Sequence, residues 1–175
     1  MRQRLTAFWL IALIGIAAPW VWRAFAPPAS AYATPTRGDT RTCTVASVHD
    51  GDTMRVRCNG ESRQVRLYCI DAPELGQRPW GQESRDALRA MAPQGATVEV
   101  RVRDKDRYGR FVGEVFRDGE NLNQRQVERG HSVVYDAFCP RVNVSYYRAE
   151  SRSKIERLGV WAQEGPHQQP WRWRH

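Results

Sequence analysis

Lysine is nearly missing from this chain: Lys105 and Lys154 are its only two, so almost all of its 27 basic residues are arginines. The four cysteines contain no C-x-x-C pair, and His49, His131, His167 and His175 show no metal-ligand spacing, which leaves the usual zinc frameworks without ligands. No Gly-rich phosphate loop, Ser-His-Asp arrangement or His-Lys-Asp phosphodiesterase pattern is present, and no internal repeat. No apolar run reaches the ~20 residues of a membrane-spanning helix. The longest, 8–22, has 15 residues and is cut short by Arg23 and Pro27-Pro28.

What is there fits one respectable core: 175 residues, 41% apolar. The formal charge is +8, and without Arg2, Arg4 and Arg23 the rest keeps 24 basic against 19 acidic residues. A basic body suits a polyanionic partner, although an Arg-rich genome leaves the same trace. Met1-Arg2-Gln3-Arg4, the apolar run and the small residues Ala29-Ser30-Ala31 and Ala31-Tyr32-Ala33 read as an export leader over 1–33. Cleavage near Ala33 gives a secreted or periplasmic protein. Retention gives an inner-membrane anchor with the body outside the cytoplasm. Either fate suits disulfides. Cys43 and Cys58 are equidistant from Asp50-Gly51, so a hairpin turn there sets them face to face and leaves Cys69 with Cys139. Four cysteines allow three connectivities, and the pairing stays an expectation.

Residues 34–40 read as a polar linker, 41–164 as the folded body and 165–175 as a Pro-, Trp- and Arg-rich tail that docks on the body, frays or touches nucleic acid. Alternation and β-branching predict strands over 42–48, 53–58 and 63–70, separated by Asp-Gly and Asn-Gly turns. A helix is expected over 82–91, strands over 97–102 and 110–116, and helices over 121–129 and 145–158, the last capped by Asn143. The class is α+β, mainly β: a five-stranded, partly open Greek-key barrel of OB type with three helices.

Three segments concentrate acids and arginines where the chain turns: Asp50-Gly51-Asp52-Thr53, Arg66 through Asp71-Ala72-Pro73-Glu74, and Asp106-Arg107-Tyr108-Gly109-Arg110. A hairpin centred on Asn59-Gly60 carries Asp52 and Asp71 to one end of the sheet. Two adjacent carboxylates repel unless a cation holds them, and oxygen-only ligands, with the Ala72 carbonyl available, point to Ca²⁺ or Mg²⁺. Glu74, redirected by Pro73, is a spare carboxylate able to orient or deprotonate water. Arg66 and Arg110 offer forks for the charge that builds on an attacked phosphate. Tyr108 and Tyr135 suit stacking on a nucleotide or packing at a rim. Each residue alone has a plainer use, Asp in turns and Arg in solvent. The set is harder to explain that way.

In this order the segments resemble the thermonuclease, or staphylococcal-nuclease-like, family. The resemblance runs from Thr42 to Trp161 and includes Leu122-Asn123 through Gly130. It implies a Ca²⁺-dependent endonuclease that cuts DNA and RNA, single-stranded or frayed, and leaves 3′-phosphate ends, with no obligate protein partner. It also implies Asp52, Asp71 and the Ala72 carbonyl as Ca²⁺ ligands, Arg66 and Arg110 on the scissile phosphate, Glu74 as base, Asp50 as accessory acid, and Tyr108 and Tyr135 against the nucleotide. Ala72 stands where some members have Thr, and the stretch 75–81 is shorter than in members with a long loop. The rival is a noncatalytic OB module that binds single strands. Completeness of Asp52, Arg66, Asp71, Glu74 and Arg110 separates the two.

Overall fold

The computed structural model describes residues 39–174. The expected leader and most of the linker lie outside the described residues. β1 (Asp39–Val48), β2 (Thr53–Cys58) and β3 (Glu61–Leu67) form an antiparallel meander. β1 starts earlier than the alternation suggests, because Asp39 and Thr40 already pair with Val102 and Arg101. Asn59 and Gly60 take positive φ of 50° and 82°, the left-handed pair that a two-residue hairpin needs. Cys43 and Cys58 are register partners and are joined, as are Cys69 and Cys139.

β3 is shorter than its alternation suggests. It stops at Leu67, the chain turns at Tyr68-Cys69 with Cys69 at φ 70°, and Ile70–Asp71 forms a separate strand, β4. After α1 (Trp80–Met91), β5 (Thr97–Lys105) pairs with β1 and β6 (Phe111–Arg117) with β5. β6 then runs parallel to β3, with Val65 opposite Phe111, Arg66 opposite Val112 and Leu67 opposite Gly113. This pairing closes the five strands into a ring instead of leaving them partly open, and it removes their free edges. β7 (Glu120–Asn121) leads into α2 (Leu122–Glu128), and β8 (Val133–Val134) pairs with β4. α3 (Val144–Ile155) follows, then two 3₁₀ turns and the short α4 (Pro170–Trp173). Asn143 precedes α3 without capping it through its side chain. Its Nδ2 donates instead to the Tyr68 hydroxyl at 3.0 Å.

Inside the ring, Met54, Val56, Val65, Val98, Val100, Val102 and Val115 are wholly or almost wholly buried, and Leu88 and Leu122 plug it from α1 and α2. Each such side chain is worth about 1.5–3 kcal/mol of transfer free energy. A polar clamp sits among them. Asn123 accepts from the Val115 N–H and donates to the Tyr68 and Gly113 carbonyls, each at 3.0 Å. It ties β6 to the turn that launches β4. Asn123→Ala strands the buried Val115 N–H and removes a donor from the Tyr68 carbonyl, while the Gly113 carbonyl keeps the Tyr68 N–H at 2.8 Å, so it should cost about 1–3 kcal/mol in denaturant unfolding. An unchanged midpoint would deny the clamp.

Candidate active site

The β2–β3 register sets Thr53 opposite Arg66, and the Leu67 N–H donates to the Asp52 carbonyl at 2.8 Å. The hairpin alone thus leaves Asp52 beside Leu67, not beside Asp71. The Tyr68-Cys69 turn, stapled by Cys69–Cys139, brings Asp71 back. The outcome is one guanidinium between two carboxylates: Arg66 pairs through Nη1 with Asp52 and through Nη2 with Asp71. The Asp52 side chain is 3% exposed and that of Asp71 is fully buried.

The loop before Asp52 is held from behind. Asp50 Oδ1 accepts from the Asp52 N–H at 3.0 Å, and Asp52 Oδ2 accepts from the Ala72 N–H at 2.7 Å. A Cβ on Gly51 would collide with the Ser84 Oγ, so only glycine lets α1 approach. Gln126, fully buried on α2, donates to the Gly51 carbonyl at 2.7 Å and the Ser84 carbonyl at 3.0 Å. Glu74 is fixed by its own backbone: its N–H donates to the Gln77 Oε1 and its carbonyl accepts from the Gln77 N–H, both at 2.8 Å. Gly81 lies against that carbonyl so closely that a side chain there would overlap it.

Burial sets the electrostatics. It pushes Asp50 up to about 7, with Asp52 adding repulsion. Burial and the Asp52 charge raise Asp71, against the pull of Arg66 and Arg174. Glu74 is also raised, first by burial and despite Arg174. Burial works against the Arg66 cation, but Asp52 and Asp71 outweigh it and keep that group charged. Buried acids near one another need positive charge, and here guanidiniums supply it. Among the described residues no group of three or more His, Cys, Asp or Glu converges to hold a metal. The two buried, all-oxygen aspartates nonetheless fit a hard cation once their guanidinium partners turn aside.

Arg110 stands apart. The parallel β3–β6 pairing sets it on the Arg66 side of the sheet, two residues before the partner of Arg66. Its Nε donates to Asp106 Oδ2 at 2.6 Å, not to any acid of the central group. Tyr108 is 70% exposed at the adjacent turn. The Tyr135 ring is instead stacked on Trp171, centroids 5.3 Å apart.

Three contributors escaped sequence reasoning. Asn123 and Gln126 form an i, i+3 polar pair on the buried face of α2, a pattern that signals a clamp only once its targets are known. Arg174 donates to Asp71 Oδ2 at 2.5 Å and pairs with Glu74 through Nε at 3.2 Å. Nothing local to the tail foretells that reach.

The staphylococcal nuclease homologue family matches residues 64–163. A protein named "Uncharacterized endonuclease" from Escherichia coli O157:H7 is 36% identical over 132 residues, covering 75% of this chain and 83% of that protein. "Micrococcal nuclease" of Shigella flexneri is 32% identical over 139 residues, 74% of this chain and 78% of its own. "Staphylococcal-like nuclease CAN1" of Arabidopsis thaliana is 35% identical over 111 residues. The plant relatives are longer: the match covers 63% of this chain but 33% of the Arabidopsis protein and 32% of a rice counterpart. The closed barrel and these alignments agree: the chain belongs to the staphylococcal nuclease homologue family, a family of nucleases.

Proposed function

We propose that this protein is an exported, Ca²⁺-dependent endonuclease that hydrolyses phosphodiester bonds of DNA and RNA and leaves 3′-phosphate ends. The observation that carries this reading is the single guanidinium of Arg66 shared by Asp52 and Asp71, with Glu74 anchored alongside. Asp52, Asp71 and the Ala72 carbonyl would hold the cation. Bound Ca²⁺ supplies positive charge that draws in a phosphate and orients water. Arg66 then exchanges its carboxylate partners for phosphate oxygens, where its fork meets the charge that builds on attack. Arg110 does the same from β6, released from Asp106. Glu74 takes the proton of the attacking water, and Asp50 buffers the charge of the loop behind. Tyr108, exposed at the rim, would stack on a base.

Two disulfides support an oxidising compartment outside the cytoplasm. No helix among the described residues is long and apolar enough to cross a membrane.

The purified chain should digest single-stranded DNA with Ca²⁺ and stop when a chelator is added. The products should be refractory to 3′ extension until a phosphatase has acted. Equal digestion with and without chelator would remove the cation from the reading, and products that extend directly would remove the 3′-phosphate.

A further inference from the structure

We propose that the C-terminal strap, residues 159–174, is an autoinhibitory cover whose Arg174 competes with the cation for Asp71. The inference rests on the cation reading above and adds regulation to it. The base of the strap is firmly seated. The Val160 N–H donates to the Gly130 carbonyl at 2.9 Å, where Gly130 and Gly159 pass too closely for any side chain. The buried His167 ring stacks on Trp80 with centroids 3.5 Å apart and planes 4° from parallel, its Nε2 reaching the Val160 and Gln163 carbonyls at 2.9 and 3.1 Å.

From that anchor the tip covers three groups of the site at once. Trp171 lies on Tyr135. The Arg174 Nη2 contacts both carboxylate oxygens of Asp71, and its Nε pairs with Glu74. A cation needs the same Asp71 lone pairs and would repel the guanidinium, so the two occupants exclude one another. The Arg174 side chain is 37% exposed, whereas Asp71 has no exposure. The tip is thus the part that can leave while His167 keeps the strap attached. Cation binding then carries the cost of opening, and apparent affinity falls by the fraction of strap that is open.

The test is calorimetric titration of the full chain with CaCl₂ in low salt, without substrate. Arg174→Ala should bind Ca²⁺ about five- to tenfold more tightly than the parent, the modest size expected of a part-exposed, charge-assisted contact. Trp171→Ala loosens the strap without touching a carboxylate and should shift affinity the same way. The Ca²⁺ concentration giving half-maximal cleavage of single-stranded DNA should fall in parallel. Equal or weaker Ca²⁺ binding by Arg174→Ala, while Asp71→Asn abolishes it, would overturn the strap and leave the cation site standing. No Ca²⁺ binding by any of these chains would overturn both. Unchanged binding with lost cleavage in Arg174→Ala would make that guanidinium a phosphate ligand, which also refutes the cover.

Discussion

Glu74→Gln is expected to lower turnover on single-stranded DNA by about 10²–10⁴-fold, the usual worth of a positioned general base, with the unfolding midpoint unchanged. The substitution is isosteric, and what holds residue 74 is its backbone: the reciprocal bonds with Gln77 and the close approach of Gly81. Gln can keep a polar contact to Arg174 but cannot accept a proton. Burial already lifts the Glu74 carboxyl above its ordinary range, as suits a base that works beside a cation rather than as a permanent counter-charge. Parent-like turnover in the variant would take Glu74 out of the chemistry. Lost turnover together with a lowered midpoint would mean that the side chain supports the loop instead.

Arg110→Ala should cost about 10²–10³ in turnover, as removal of a donor aimed at developing negative charge does. Arg103→Ala is the control. Arg103 is on β5 and reaches Glu114 Oε2 through Nε at 2.9 Å and Nη2 at 2.5 Å, in a network with Tyr146 and Asn121. Its loss should lower stability and spare the rate. Both variants remove one positive charge, so equal losses of turnover would mean that net charge, not position, matters. Arg110 is held by Asp106. That pair sits at a part-exposed rim, where exchange of one carboxylate for a phosphate costs little.

The barrel was legible because its signals are local. Val56, Val65, Val98 and Val100 alternate with polar neighbours, and Asn59-Gly60 turns the chain where the pattern breaks. The Cys43–Cys58 bridge followed from the same symmetry, since an antiparallel pair fixes its own register. The boundaries that shifted did so for nonlocal reasons. β3 looks continuous through Ile70, yet the ladder hands over to β6 at Leu67, and the disulfide to Cys139 turns the chain aside. α3 ends at Ile155, short of Gly159, because Gly159 is used to pass Gly130 closely rather than to cap a helix.

Residue types and spacings alone thus carried the α+β barrel, the hairpin, the Cys43–Cys58 pair and the expectation that Asp52, Arg66, Asp71, Glu74 and Arg110 share one site. Each is a matter of a few neighbouring residues and a period of two. Only the folded chain decided that Arg66 bridges Asp52 and Asp71, that Arg110 waits on Asp106, that Asn123 and Gln126 brace the turns, and that Arg174 crosses 103 residues of sequence to sit on Asp71. Charge pairs and buried amides find partners by proximity in space, and closing a barrel creates those proximities without leaving a periodic trace in the sequence.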